Sequence, residues 1–198
     1  MKNEIKKTKS IKLQIILWII TSLIALSGWG TLLYQHIENS PKIEGSILFV
    51  LKGQLSEPEE MTVFLIYPYL TNMRKGEVHI LDYELEVDFG NGFEKLNRFY
   101  GVDNVENWFF FDSQNREITI PNLKDQLIYK KDTLAKFGTP LHGFILFGGE
   151  PSLLNKEVKE YRLTCIDAFG KKHVIISRPQ DIKGLYWVMD ETGMKIGK

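Results

Sequence analysis

Twenty consecutive residues without a charge, from Ile15 to Tyr34, constrain this chain more than any other feature. As an α-helix they span about 30 Å at ~1.5 Å per residue, which matches the hydrocarbon core of a bilayer. Ten of the twenty are Leu or Ile, and at roughly −0.3 to −0.6 kcal/mol each these favour insertion by about 3 to 6 kcal/mol. Trp29 and Tyr34 lie near one end, where amphipathic rings prefer the interface. We therefore predict a transmembrane helix over residues 15–34.

The charges beside this stretch indicate its orientation. Residues 1–14 carry five lysines, whereas only Lys42 and Lys52 follow the stretch closely. By the positive-inside rule, residues 1–14 form a basic cytoplasmic N-terminus and the large domain lies outside the cytoplasmic membrane, in the periplasm or the extracellular space. The alternative is a cleaved signal peptide with a small-residue site at Ala25-Leu26-Ser27. Because the apolar stretch continues to Tyr34, at full bilayer length, we favour an uncleaved signal-anchor.

Composition argues against several classes of function. Residues 41–198 hold 20 basic and 23 acidic side chains, so we expect no broad attraction to nucleic acid. Cys165 is the only cysteine, and one thiol makes neither an internal disulfide nor a CxxC zinc pattern. The sequence contains no GxSxG, SxxK or P-loop motif. We expect no catalytic residue, no cofactor and no metal.

After a linker at residues 35–45, in which Pro41 stops any helix, residues 46–198 are typical of a β-rich domain. In Val78–Phe89 apolar and acidic residues alternate with a period of two, which a helix does not satisfy. Only Pro121–Leu134 leans toward a helix. The predicted strands are Ser46–Lys52, Thr62–Leu70, Val78–Phe89, Asn107–Asp112, Glu117–Ile120, Leu141–Phe147, Glu160–Ile166, His173–Ser177 and Leu185–Met189. So many short strands indicate an antiparallel sandwich.

Two hairpins are predicted from turn residues. If Asn91-Gly92 forms a two-residue type I′ turn, Asp88 pairs with Lys95 and Val87 with Leu96, so that opposite charges meet and apolar residues meet. Ile166–Lys171 is predicted to form a second hairpin end.

One part of the chain resembles known proteins. Thr139–Phe147, with the sequence TPLHGFILF, is followed by a strand and then by Asp167-Ala168-Phe169-Gly170. This pattern resembles uncharacterised bacterial single-pass membrane proteins with an immunoglobulin-like domain, in which such a strand precedes one that ends in an Asp-x-x-Gly turn. The resemblance implies an immunoglobulin-like β-sandwich and carries no active residues. The lack of an Asn-x-Ser/Thr acceptor also favours a bacterial source.

Four carboxylates share one face of the strand Val78–Phe89: Asp82, Glu84, Glu86 and Asp88. Neighbouring carboxylates are about 6.5–7 Å apart at ~3.3 Å per residue, a spacing compatible with Ca²⁺ binding or acid–base work on a sugar. A flat strand lacks the tight turn of a calcium loop, however. We interpret this face as solvated and partly neutralised by Lys95 and Arg98.

The remaining polar candidates are dispersed. His142 and His173 lie on separate predicted strands and are the histidines best placed to meet, yet no HExxH or HxH spacing supports a metal site. We therefore interpret the histidines as structural. Cys165 alternates with Tyr161 and Leu163 on an inward face, where a buried thiol is inert packing.

Trp108-Phe109-Phe110-Phe111 is the most unusual run of the chain. Both faces of this strand are aromatic, so either both are covered or one is exposed for a partner or glycan. Burial on both sides, at a corner of the sandwich, is the plainer interpretation, but the run is also the best candidate partner surface. If one face is buried, we expect it to be that of Trp108 and Phe110, because Asp112 then reaches the strand end, where water solvates it.

These features lead us to expect a non-enzymatic binding or assembly module, held by one membrane helix and displayed outside the membrane, with a protein partner. One alternative is a cytosol-facing ligand sensor coupled to a membrane effector helix. Another is a membrane-tethered hydrolase, which needs convergent His, Asp or Glu side chains in a cleft.

The small-xxx-small spacings of Thr21/Ala25 and Ser27/Thr31 would let two helices pack closely, but we interpret them as chance.

Overall fold

The computed structural model describes residues 2–55, 60–102, 104–131 and 133–197, with side chains from Leu17 onward except that of Lys131. The chain divides into two compact units, Met1–Ser40 and Pro41–Lys198.

The first unit is one α-helix, α1, which runs from Lys2 to Asn39. Leu17–Asn39 is long and apolar enough to cross a membrane, with a mean hydropathy of 1.5. The hydroxyl groups of Thr21 and Thr31 donate to carbonyls of the helix itself, at 2.7 and 2.9 Å, which satisfies them without a partner. The apolar helix that we predicted is present. It continues five residues beyond Tyr34, so the linker is shorter than expected: only residues 40–42 separate α1 from the first strand.

The second unit is mainly antiparallel β-structure. Its strands are β1 Ile43–Leu55, β2 Met61–Asn72, β3 Val78–Asp88, β4 Phe93–Arg98, β5 Trp108–Asp112, β6 Glu117–Ile120, β7 Leu134–Ala135, β8 Pro140–His142, β9 Ile145–Gly149, β10 Glu160–Asp167, β11 Lys172–Ser177 and β12 Lys195–Ile196. Its α-helices are α2 Leu123–Gln126, α3 Ile128–Lys131 and α4 Leu185–Thr192, and 3-10 turns lie at Pro151–Asn155 and Pro179–Asp181.

The strands pair in the order β11-β10-β3-β4-β9-β2-β1-β5-β6-β12, with β7 beside β3 and β8 beside β2. β1 is the seventh strand in this order. It contacts the first strand, β11, through hydrogen bonds to side chains and not through a ladder of backbone hydrogen bonds. The N–H of Ile43 donates to Nδ1 of His173 at 3.2 Å, and the N–H of Ile47 donates to Oγ of Ser177 at 3.3 Å. The seven strands from β11 to β1 thus close around one hydrophobic core.

A second hydrophobic core lies on the opposite face of β2. Phe64 and Ile66 point into the first core, whereas Val63 and Leu65 point into the second, which β5, β6, α2 and α4 also cover. Because both faces of β2 are buried, its sequence is a continuous apolar run and not an alternating one.

One predicted strand is wrong. Leu185–Met189 is the first part of α4, which buries Val188 and Thr192, four residues apart on one helical face. The helix ends at Thr192 and is capped by Gly193, where φ is 67° and the N–H donates to the Met189 carbonyl at 2.9 Å. An apolar run this short does not distinguish a strand from a helix by its period. The other predicted strands are present, with Leu141–Phe147 divided between β8 and β9.

A β-bulge changes the predicted alternation of β3. Tyr83, Leu85 and Val87 are buried as expected, but Leu81 is exposed and Ile80 is buried in its place. The register with β10 steps at this point, so that Leu81 has no partner opposite it. Such an extra residue moves every preceding side chain to the other face.

The β3–β4 hairpin is shifted by two residues from the predicted register. Glu86 pairs with Lys95 and Leu85 with Leu96, across a four-residue loop instead of a two-residue one. The carboxylate of Asp88 accepts the N–H groups of Gly90 at 2.7 Å and Gly92 at 3.2 Å, and so closes the turn rather than pairing with Lys95. A shift of two residues preserves the face of every side chain, which is why the apolar and charged pairings still match.

Candidate functional site

The aromatic run forms β5, and its side chains alternate between core and solvent. Trp108 and Phe110 are 6% and 2% exposed, and their stacked rings are 4.5 Å apart between centroids. Phe109 and Phe111 are 54% and 51% exposed. The expectation that Trp108 and Phe110 form the buried pair is therefore confirmed, and burial of both faces is wrong. Of the four residues that we singled out as a candidate partner surface, only Phe109 and Phe111 are accessible to a partner.

Asp112 does not extend into water at the end of β5, as we had expected. It is buried, and its carboxylate accepts N–H groups from Gln114 at 2.9 Å and Arg116 at 2.8 Å and pairs with the Arg116 guanidinium at 2.7 Å. Burial alone would raise the pKa of Asp112, but the hydrogen bonds from Arg116 and Gln114 outweigh it and lower the pKa. Asp112 thereby fixes the turn between β5 and β6.

Polar residues surround the two exposed rings. Phe111 lies between Gln54 on β1 and Glu117 on β6. Phe109 pairs with Thr119 on β6, which pairs in turn with β12. Residues paired across strands share a face of the sheet, so these side chains form a rim beside the rings. We call the set the Phe109/Phe111 patch: Phe109, Phe111, Gln54, Glu117, Thr119 and Lys195.

The acidic face of β3 is neutralised by neighbouring strands. Asp82 pairs with Arg98 at 2.8 Å, and Glu84 accepts Lys95 at 2.5 Å and Lys172 at 2.9 Å. Glu86 faces Arg162 on β10 at a longer distance of 3.4 Å, and Asp88 closes its own turn. These contacts support our interpretation of a solvated and neutralised face. Within the described ranges of the chain, no group of three or more His, Cys, Asp or Glu residues is arranged to hold a metal ion.

The two histidines that we considered as a pair have separate partners. Nδ1 of His142 lies 2.8 Å from the Tyr67 hydroxyl. The His142 ring stacks on the ring of Tyr69, and the Trp187 ring meets it edge-on, with 5.7 Å between the centroids of His142 and Trp187. His173 lies instead beside Asp167. The sequence pattern did not reveal the cluster around His142, because its members come from β2, β8 and α4.

The Asp167–His173 pair resembles part of a hydrolytic site but is fully used in holding the fold. Nε2 of His173 lies 3.0 Å from the Asp167 carboxylate, and Nδ1 accepts the N–H of Ile43, with both side chains buried. Burial alone would raise the pKa of Asp167, but hydrogen bonds from His173 and from the N–H groups of Lys171 and Phe169 lower it. The pair fastens the β10–β11 turn to the start of β1.

Cys165 is buried in the first core with Tyr161 and Leu163, as the alternation predicted. Burial raises the pKa of its thiol, and a thiol that stays protonated in an apolar core is a poor nucleophile.

A cleft of about 290 Å³ lies where β4, β9 and the start of β2 meet. Its charged lining residues are Arg98, Glu60 and Glu150. The Arg98 guanidinium pairs with Asp82 and lies 3.9 Å from the centroid of the Tyr129 ring, so it is already engaged within the domain. One engaged cation and two carboxylates favour no single class of ligand, and we assign none to this cleft.

Comparison with protein families, curated proteins and solved structures finds no match to this chain.

Proposed function

We propose that this protein is a membrane-anchored module that binds or assembles with a partner protein and performs no catalysis. In this proposal α1 is a signal-anchor, and the domain that follows is an immunoglobulin-like β-sandwich outside the cytoplasmic membrane. The observation that carries the proposal is the exposure of Phe109 and Phe111 next to each other on an ordered strand. Each ring is about half exposed, so covering the rest of it contributes roughly 0.8–1.5 kcal/mol, half of the value for a fully exposed side chain.

The composition of the Phe109/Phe111 patch is that of a protein interface. Interfaces combine an apolar, often aromatic centre with a polar rim that stays hydrated. Here two phenylalanine rings form the centre, and the rim presents both an acidic residue, Glu117, and a basic one, Lys195. A rim with both charges suits a partner that offers complementary charges, which proteins do and neutral glycans do not.

Support for the sandwich comes from antiparallel pairing throughout the named strands and from the first core, to which β1, β2 and β9 as well as β3, β10 and β11 contribute. The resemblance of Thr139–Phe147 to immunoglobulin-like membrane proteins points the same way. Support for the outside location comes from the five lysines that precede the apolar stretch.

Partner binding is tested with a photoreactive phenylalanine analogue at position 109 or 111 of the full chain in cells. We expect one discrete protein adduct from either position. Phe109→Ala should weaken the adduct formed from position 111 about tenfold, the equivalent of ~1.4 kcal/mol, because it removes half of the apolar centre. The matched control is the analogue at Tyr186, an aromatic residue of α4 that is 80% exposed. No adduct, the same adduct from position 186, or an adduct that a glycosidase removes would each refute the protein-binding proposal.

The location is tested by adding protease to spheroplasts. We expect residues 41–198 to be degraded without lysis, and we expect glutamine at all five lysines before Ile15 to leave a fraction of the domain protected. The basis is that positive charge next to the span determines its orientation. A domain that stays protected until lysis contradicts the proposal and favours the cytosol-facing sensor.

A further inference from the structure

Three segments meet around Asn72 at one end of the β-domain. The buried side-chain amide of Asn72 donates to the carbonyls of Gly76, at 2.5 Å, and Ala135, at 3.1 Å. Its oxygen accepts the N–H groups of Lys42 at 3.2 Å and Arg74 at 3.1 Å. One side chain therefore holds together the residue before β1, the β2–β3 loop and the end of β7.

The β10–β11 turn joins the same end. Nζ of Lys171 donates to the carbonyl of Pro41 at 2.8 Å, and the N–H of Ala168 donates to the carbonyl of His79 at 2.8 Å. We call these four segments, residues 41–44, 72–77, 135–138 and 167–171, the Asn72 end.

Three loops of the Asn72 end each expose one large apolar side chain. Met73 is 51% exposed, Phe137 is 59% exposed and Phe169 is 80% exposed. Met73 follows directly on Asn72, which forms a β-bridge with Phe137, so these two loops lie side by side. Exposed apolar side chains with a polar rim are typical of a surface that binds a membrane or another molecule.

The charges of the Asn72 end are opposite in sign to those of the domain as a whole. Its five basic residues outnumber its three acidic ones, whereas residues 41–198 hold 20 basic and 23 acidic side chains. Of the acidic residues, Asp167 is buried against His173 and Glu44 forms an ion pair with Lys42. The basic residues are Lys42, Arg74, Lys75, Lys136 and Lys171.

We propose that the Asn72 end docks on the headgroups of anionic phospholipids, with Met73, Phe137 and Phe169 inserted at the interface and the basic side chains beside the phosphates. Apolar side chains flanked by Lys and Arg are the combination by which peripheral segments bind anionic bilayers. The short connection to α1 favours phospholipid as the binding partner of this end. Only residues 40–42 separate α1 from β1, and three residues span at most ~11 Å. The inference rests on the anchoring of α1 in a bilayer, but it needs neither the partner patch nor a particular side of the membrane.

The test uses the full chain reconstituted into vesicles of phosphatidylcholine alone or with phosphatidylglycerol. Phe169→Cys carries an environment-sensitive fluorophore, and Cys165 does not compete for the label because it is buried. The control is the same label at Asn91→Cys, in the exposed β3–β4 turn. We expect nitroxide-labelled lipid to quench the label at position 169 at least threefold more in anionic than in neutral vesicles, with no such change at position 91.

The contribution of the basic residues of the Asn72 end is tested in the same vesicles. Lys136→Gln together with Lys75→Gln should abolish the difference between the two lipids, since each basic residue near an anionic surface contributes about fivefold in binding, equivalent to ~1 kcal/mol. Quenching at position 169 that is equal in both lipids, or that depends on protein density as association with a second copy would, overturns the docking proposal. Co-flotation with vesicles reports the anchor separately. Protein that floats without lipid-dependent quenching refutes docking alone, whereas protein that does not float refutes the anchor and docking with it.

Discussion

Phe110→Ala is expected to lower the free energy of unfolding of the β-domain by about 3–5 kcal/mol, whereas Phe109→Ala should change it by no more than about 0.5 kcal/mol. The two residues are adjacent and chemically identical, but the Phe110 ring is 2% exposed and stacks on Trp108 in the second core. Its removal leaves a cavity that the surrounding strands and helices cannot fill. The ring of Phe109 points to solvent, and its removal leaves none.

Urea unfolding of the full chain in detergent, followed by circular dichroism of the β-domain, measures both variants. Phe111→Ala serves as a second exposed control and should behave like Phe109→Ala. Similar losses for Phe109→Ala and Phe110→Ala would mean that the outer face of β5 is covered within the protein, and the Phe109/Phe111 patch would then not be a surface.

Asp167→Asn is expected to cost about 1.5–3 kcal/mol at neutral pH, because it removes the charge of a buried carboxylate that holds its hydrogen-bond partners in place. The carboxylate accepts N–H groups from Phe169 and Lys171 at 2.9 Å each and lies 3.0 Å from His173. The matched control is Glu86→Gln, a partly exposed ion pair with Arg162, which should cost less than about 1 kcal/mol.

Asp167 and a second buried carboxylate, that of Asp112, make the stability of the domain sensitive to acid. The pKa values of Asp167 and Asp112 are lowered in the folded protein, so both stabilise it fully above the unfolded pKa of about 3.9. That stabilisation is lost as the pH falls from there through the lower folded values. Melting temperatures between neutral pH and pH ~3 should therefore fall less steeply for Asp167→Asn than for the wild-type protein. Parallel curves would show that the charge of Asp167 does not contribute.

The parts of the fold that follow from local pattern could be predicted, and those that depend on distant contacts could not. The alternation in β5 correctly assigned Trp108 and Phe110 to the same buried face. It did not show that Phe109 and Phe111 are exposed, because that depends on which elements cover the outer face of the sheet. In β3 the bulge at Leu81 arises from the register with β10, and no residue in Val78–Phe89 signals it.

Asp112 shows the same limit at the level of one side chain. A carboxylate at the end of a strand is usually hydrated, and only the turn that brings Arg116 and Gln114 back onto it makes burial favourable. The Asn72 end was likewise not visible in the sequence. Asn72 and Ala135 are 63 residues apart, and the three exposed apolar residues stand in separate loops.

The closure of β1 onto β11 has a consequence for how the domain is made. Ile43 and His173 are 130 residues apart in the chain, and bringing such distant segments together carries a large loop-closure cost before any contact repays it. β1 can pair with β2 early in synthesis, and the C-terminal part of its other edge pairs with β5. The N–H groups of Ile43 and Ile47 on that other edge wait for the side chains of β11, which is made much later. Until then the start of β1 is open to pairing with other chains, so we expect a nascent chain halted before β11 to aggregate more readily than one that includes it.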